Sequence, residues 1–370
     1  MFQFLPDIFR TGVAFVVVLG VLVFVHELGH YLAARWRGVH VEIFSIGFGQ
    51  ALATWTDGVG THWKLAWIPL GGYVKLHGQE RPEFASPAEQ ARWIPGKTFH
   101  TKSVLSRAIV VAAGPIANFL LAIVLFAGLF GTVGRPVAVP VVGEVVANSA
   151  AQRAGLEPGD RIVAIDGAPI RTFGDIRRII TVHPAQHLSL NIRRGDATLT
   201  LPILTDVQSS AAGPVGVLGI RDGNTEYERL GPVEALWGGI GYTWQITAQT
   251  VTGVWQMISG GRGTEDLGGP LRIAQLSGQV AQLGLVNLIS FIAVLSVNLG
   301  LINLFPIPVL DGGHLLFYLA EAVRGRPIPP RAQEYGFRAG LALLVCLFVF
   351  ATWNDLSHLG IVRWIAGLMG

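Results

Sequence analysis

Four long apolar stretches limit this chain more than any other feature: roughly residues 14–34, 109–130, 283–305 and 339–353, the last with a hydrophobic tail toward Met369. A helix needs about 20 mainly apolar residues to cross the hydrocarbon layer. The first three stretches meet that length, and the fourth meets it if the interruption at 354–358 lies at the membrane interface. With 51% hydrophobic and only 14% charged residues among 370, neither a disordered chain nor an ordinary soluble enzyme fits. The first stretch has no basic amino-terminal cluster and no small-residue cleavage pattern. It reads as a retained span rather than a secretory signal.

Charge gives an orientation. The formal net charge is +3, and the basic residues are scattered, so nothing points to a nucleic-acid partner. Near the spans they are uneven: Arg35, Arg37, Lys97, Lys102 and Arg107 fall between the first two, and Arg324, Arg326, Arg331 and Arg338 between the last two. By the positive-inside rule both connections are expected in the cytoplasm. Both termini and the long connection 131–282 are then expected on the other side. Cys346, the single cysteine, lies within an apolar run, which excludes a disulfide framework and a cysteine zinc cluster.

The long connection holds a soluble module at about 137–222. Residues 160–167 read as a strand ending in a turn, and 187–193 and 197–203 as two strands joined through Arg194-Gly195-Asp196. Between them Thr172 to Asp175 resembles a capping box, with Phe173, Ile176 and Ile180 at helical spacing. Gly143-Glu144-Val145, Ser149 and Ala154-Gly155-Leu156-Glu157-Pro158-Gly159-Asp160 resemble the bacterial type of PDZ domain. Residues 230–282 mix Gly, Trp and Gln with apolar residues and read as amphipathic helices on the outer membrane face. Residues 41–46 and 63–74 are β-like, with Trp63, Leu65 and Trp67 alternating, and point to a sheet close to the membrane.

The chemistry is concentrated in Val25-His26-Glu27-Leu28-Gly29-His30, inside the first apolar run. Residues four apart share a helix face, so His26 and His30 can hold one metal ion while Glu27 reaches a water beside it. An ionisable side chain in mid-membrane costs at least ~2.5 kcal/mol on insertion scales, so such a residue marks function. A catalytic zinc needs a third protein ligand and an open position. Asp311 is the leading candidate: it follows Pro306 and Pro308, which interrupt a helix, and precedes Gly312 and Gly313, which permit unusual backbone angles. Irregular backbone at membrane depth survives where it is buried in protein or lines a wet cavity. His314 is the rival third ligand.

These residues resemble the site-2 proteases, intramembrane zinc metalloproteases, and within them the bacterial regulator-of-sigma-E type. The resemblance takes in HELGH, Gly47-Phe48-Gly49, Pro69 to Lys75 with Gly71 and Gly72, Ala113-Gly114-Pro115-Ile116-Ala117-Asn118-Phe119, the PDZ signature, and Asn303 through Gly313. It implies one Zn2+ per chain on His26, His30 and Asp311, Glu27 as catalytic base, and Asn303, Pro306, Pro308, Gly71 and Gly72 near the substrate. It also implies a bacterial inner-membrane location and single-pass membrane substrates. An anti-sigma factor already trimmed by an outer-side protease is foremost, with signal-peptide remnants beside it. Relatives of that type carry two tandem PDZ domains, whereas this chain has room for one.

The expected fold is therefore a polytopic α-helical membrane protein with about four transmembrane helices, a membrane-associated β-sheet and one inserted α+β PDZ domain. Residues 1–136 form the first half of the protease core, 137–222 the PDZ domain, and 223–370 a connector with the second half. The sheet edge either holds an unwound substrate as an added strand or only plugs the cavity. An idle adaptor that binds membrane segments and a zinc transporter are the competing functions. The adaptor would have no need of Glu27, and the transporter would need ionisable residues spread through several spans. The PDZ domain, outside while the zinc site lies near the cytoplasmic side, is expected to act as a filter on bulky outer portions of substrates.

Overall fold

The computed structural model describes residues 7–80, 82, 85–210, 213–223, 225–260 and 268–358. Two units emerge, residues 1–129 with 232–370, and residues 130–231. Among the described residues four helices are long and apolar enough to cross a membrane: α1 (Asp7–Trp36), α3 (Val104–Thr132), α8 (Leu285–Leu304) and α10 (Pro330–His358). All four expected stretches appear. Helix α10 continues through the interruption expected at 354–358, and the tail beyond 358 lies outside the described residues.

Helix α1 has thirty residues and is about 45 Å long, more than the hydrocarbon thickness. Its apolar residues lie all round, as in a helix that faces protein on one side and lipid on the other. Ala14, Val18, Leu22 and His26 recur at every fourth position and are all buried. The first three pack with Leu288 and Ile292 of α8 and Ala281 of α7 (Pro270–Gln282). The packing stripe therefore runs straight into the first histidine.

After α1 the chain forms β1 (Val41–Thr56) and β2 (His62–Leu76), longer than the stretches anticipated from alternation. Both bend and pair more than once: Ile43 to Ile46 face Lys75 to Gly72 on one side and His62 to Leu65 on the other, and Ala53 to Thr56 return onto Leu65 to His62. The fully buried Phe44 docks the sheet on α1, with ring centroids 5.8 Å from Phe24, 5.8 Å from Tyr31 and 4.3 Å from Trp63. Asp57, at the hairpin turn, accepts from Tyr31 Oη (3.0 Å), Trp63 Nε1 (3.1 Å) and the backbone N–H groups of Val59 and Thr61. Desolvation alone would raise its carboxyl; these hydrogen bonds outweigh it and bring the pKa down to about 2. A short helix α2 (Pro87–Gln90), with its own capping box on Ser86 and Glu89, lies between the sheet and α3.

The 230–282 connection differs from expectation. Instead of amphipathic segments alone, it contains α6 (Pro232–Ile258), which packs along its length against the apolar helices. Its buried residues Ala235, Gly239 and Thr243 recur every fourth position, the small-residue spacing that lets backbones approach. A Cβ on Gly239 would meet Ile123 O of α3 at 2.7 Å, Tyr242 meets Phe126 edge-on, and Thr250 donates to Asn298 of α8 at 3.1 Å. Gly, Thr and Gln dilute the hydropathy of this segment and hide its packing face.

Helix α8 ends at Leu304, where Pro306 and Pro308 follow, and α9 (Asp311–Arg324) then begins. Gly312 and Gly313 sit in the first turn of α9 with ordinary helical backbone, so the expectation of unusual angles there is corrected. Space is the reason for them: a Cβ on Gly312 would lie 2.2 Å from Phe305 O, and one on Gly313 2.4 Å from Ile307 O. The left-handed residue in this loop is Val309, at φ 92°, an uncommon conformation for a β-branched residue. Helix α10 docks on the same loop, with Gly340 against Pro308.

The second unit is α+β: β3 (Arg135–Ala138) pairs with residues 225–228, β4 (Val142–Val145) pairs with residues 220–222, and a one-turn helix α4 (Ala150–Arg153) follows. A four-stranded sheet runs in the order β6 (Ala168–Pro169), β5 (Arg161–Ile165), β7 (His187–Arg194), β8 (Ala197–Leu204). Helix α5 (Phe173–Thr181) has the anticipated capping box between Thr172 and Asp175, and buries Phe173, Ile176 and Ile180 with Ile162, Leu190 and Ile192. Arg194 clasps the buried Asp160 carboxylate through Nε at 2.7 Å and a second nitrogen at 2.8 Å, and reaches Glu157 and Gly155 O. This fixes the Gly155 to Asp160 turn. Burial alone would raise the Asp160 carboxyl, and Arg194 with the Glu157 N–H holds it below its ordinary range.

Candidate metal centre and active site

Helix α1 presents His26 and His30 one turn apart, and α9 begins at Asp311 opposite them. His26 Nε2 lies 3.1 Å from His30 Nε2; Asp311 Oδ2 lies 3.1 Å from the first and 3.4 Å from the second. These three are the only group of at least three His, Cys, Asp or Glu among the described residues whose candidate ligand atoms converge this closely. His314 is not in the group. Its ring faces the same cavity and packs against Phe337 at 5.2 Å.

The donor set suits a zinc ion. Two imidazole nitrogens and one carboxylate oxygen are borderline and hard donors of the kind that zinc takes in catalytic sites. Asp311 Oδ2 is buried and has no hydrogen-bond partner apart from the two imidazoles it faces, so it is held toward the point on which their nitrogens also converge. The space is also kept: a Cβ on Gly114 of α3 would lie 2.3 Å from His30 Nε2 and 2.9 Å from His26 Nε2.

Glycine is what brings α1 and α3 together here. A Cβ on Gly29, inside HELGH, would meet Ala113 O at 2.3 Å and the Ala117 side chain at 2.7 Å. His30 Nδ1 faces Val110 O at 2.9 Å, which sets the proton on Nδ1 and leaves Nε2 for the centre. Helix α9 is in turn tied to α3 by a buried pair, Arg107 and Glu321, at 2.7 and 3.3 Å, with Arg107 also 4.9 Å from the Tyr318 ring centroid. One helix therefore positions both the histidines and the element carrying Asp311.

A cavity of about 460 Å³ opens onto this group, lined by Glu27, Gly72, Tyr73, Val74, Asn303 and Val309 among others. Glu27 lies beside the sheet edge, since a Cβ on Gly72 would come within 3.2 Å of Glu27 Cγ. Asn303 lines the cavity while its Nδ2 donates to Leu299 O at 3.0 Å. Gly71, Pro306 and Pro308 are not cavity-lining: Gly71 faces Phe48, Pro306 follows the end of α8, and Pro308 meets Gly340 of α10.

Sequence reading gave no role to Gly114, Asn118 or the Arg107–Glu321 pair. Two signals were available for Gly114 and Asn118: both residues lie in the Ala113–Phe119 stretch that carries the resemblance, and they are four apart in a proline-containing helix, which puts them on one face. We expect Gly114→Ala to overlap the ligand nitrogens at a cost of about 1–3 kcal/mol and to lower zinc occupancy of the purified protein. Gly128→Ala, on the same helix but where an added Cβ would meet nothing within 4 Å outside its own helix, should leave zinc unchanged.

Paired imidazoles on a membrane-length helix, a carboxylate from a second helix and a neighbouring glutamate meet at one cavity, an arrangement of the metalloprotease class. Residues 14–347 match Peptidase family M50, and the chain belongs to that family. It is 46% identical over 374 aligned positions to "Putative zinc metalloprotease R01501" of Rhizobium meliloti, covering 96% of this chain and 98% of that one. It is 37% identical over 388 positions to metalloprotease MmpA of Caulobacter vibrioides (96% and 98%). It is 33% identical over 461 positions to regulator of sigma-E protease RseP of Escherichia coli (97% and 100%). The last alignment is longer than the chain itself, so that relative contains insertions. The protein is a zinc metalloprotease whose described residues include four helices long and apolar enough to cross a membrane.

Proposed function

We propose that the chain hydrolyses peptide bonds within or beside the transmembrane segment of single-pass membrane proteins, with His26, His30 and Asp311 holding one zinc ion and Glu27 acting as base. The observation that carries the reading is the convergence of three ligand atoms on a cavity that Glu27 also lines. Zinc supplies Lewis-acid polarisation of a carbonyl and acidifies water. Glu27 takes a proton from water and returns it to the departing amine. The edge segment Gly72 to Leu76 and Asn303 line the approach and hold a locally extended substrate by backbone hydrogen bonds, which are indifferent to side-chain identity. Gly71, Pro306 and Pro308 support these walls from behind.

In this reading residues 1–136 and 223–370 are the protease core and 137–222 a PDZ domain. The arginine-rich connections are cytoplasmic, and both termini with the PDZ domain are periplasmic. The substrate class is an anti-sigma factor shortened by another protease, with signal-peptide remnants as further substrates; the name of the Escherichia coli relative supports the first.

The PDZ domain then excludes substrates with bulky outer portions. Replacing residues 140–222 by a short flexible linker should make a full-length substrate cleavable while the trimmed form is cut as before. Loss of trimmed-substrate cleavage in a folded, zinc-loaded variant would show instead that the domain engages substrate.

A further inference from the structure

Asn118 lies in α3 one turn beyond Gly114 and is fully buried. Its side-chain amide faces His26 Nδ1 at 3.1 Å with Nδ2 on the histidine side, while Oδ1 is buried without a partner. Its backbone carbonyl accepts from Ser296 Oγ of α8 at 2.8 Å, a separate link between helices. The two amide atoms are nearly isoelectronic, and their order follows from the hydrogen bonds they make.

With Nδ2 toward the ring, His26 Nδ1 would be the acceptor and the proton would sit on Nε2, the atom directed at Asp311 and His30. A ligand nitrogen needs the opposite tautomer. Its lone pair must be on Nε2 and its proton on Nδ1, and that proton needs an acceptor. Exchanging the amide places Oδ1 there. One amide atom stays without a protein partner in either orientation, so the hydrogen-bond count does not choose between them; the protonation of Nε2 does. His30 has a fixed acceptor in Val110 O, whereas His26 has an amide that can serve either tautomer.

We propose that Asn118 is a positioning residue of the metal centre: its Oδ1 accepts from His26 Nδ1–H and so fixes His26 as an Nε2 ligand. This rests on the reading of His26, His30 and Asp311 as the zinc ligands.

Zinc affinity of the full chain in detergent, measured by competition with a chelator, tests it without reference to proteolysis. Asn118→Leu removes the acceptor and should bind zinc about 10–100-fold more weakly, the range for loss of such supporting partners. Asn118→Asp offers oxygen in both orientations and should stay within about threefold of the unsubstituted protein or bind more tightly. Ser296→Ala breaks the helix link without touching the amide and should leave affinity unchanged. Unchanged affinity in Asn118→Leu, or equal weakening in the Asp and Leu variants, would overturn the proposal. If Asn118→Leu does not fold, Asn118→Asp decides alone, a tenfold or greater weakening in a folded protein refuting it. Asp311→Ala, run alongside, separates the two levels: zinc retained there means that the ligand assignment has failed, whereas zinc lost there and kept in Asn118→Leu means that only the role of Asn118 has failed.

Discussion

Asp311→Ala should leave the purified protein with little zinc. Asp311 Oδ2 is one of three converging atoms, and its helix is fixed independently by the Arg107–Glu321 pair and by the packing of Gly312 and Gly313 on the preceding loop. The substitution therefore removes a ligand while the scaffold stays in place. Loss of a supporting partner around a metal ligand typically weakens binding about 10–100-fold, so loss of the ligand itself should cost at least ~100-fold. Proteolysis should fall with metal content. Zinc retained near one per chain, with activity, would remove Asp311 and return His314 to candidacy as the third ligand.

The second large effect is expected from Glu27→Gln. The amide is nearly isosteric with the carboxylate, so the α1 contact with the sheet edge at Gly72 is kept and zinc content should be unchanged. The base is lost, and cleavage should fall by about 10²–10⁴-fold. This variant also separates the protease from an idle adaptor, because an adaptor would show no difference. Membrane segments retained by the inactive protein, identified by mass spectrometry, would name the substrates.

Much of this arrangement is local in the chain. Four apolar runs, HELGH within one of them, and an aspartate after a proline-interrupted helix end each depend on residues close in sequence, and hydropathy with helical spacing is enough to read them. The alternating Trp63, Leu65 and Trp67 likewise exposed the sheet, though not its double pairing, which comes from the bends at Gly47 and Gly49. What stayed hidden depends on contact between distant segments. Gly114 is required only because His26 and His30 come within 3 Å of where its side chain would be. Gly312 and Gly313 carry the signature of flexible backbone yet serve close packing. The small residues of α6 weaken its apolar signal while making its contact with α3 and α8 possible.

Mapping the bond that is cut tests the central claim most directly. A single-pass substrate with its outer portion removed, reconstituted in liposomes with the zinc-loaded protein, should yield fragments whose new ends, read by mass spectrometry, lie within or beside its transmembrane segment. The same fragments should be absent with Glu27→Gln. A cut confined to a soluble portion of the substrate, or the same fragments at the same rate from the Glu27→Gln protein, would contradict it.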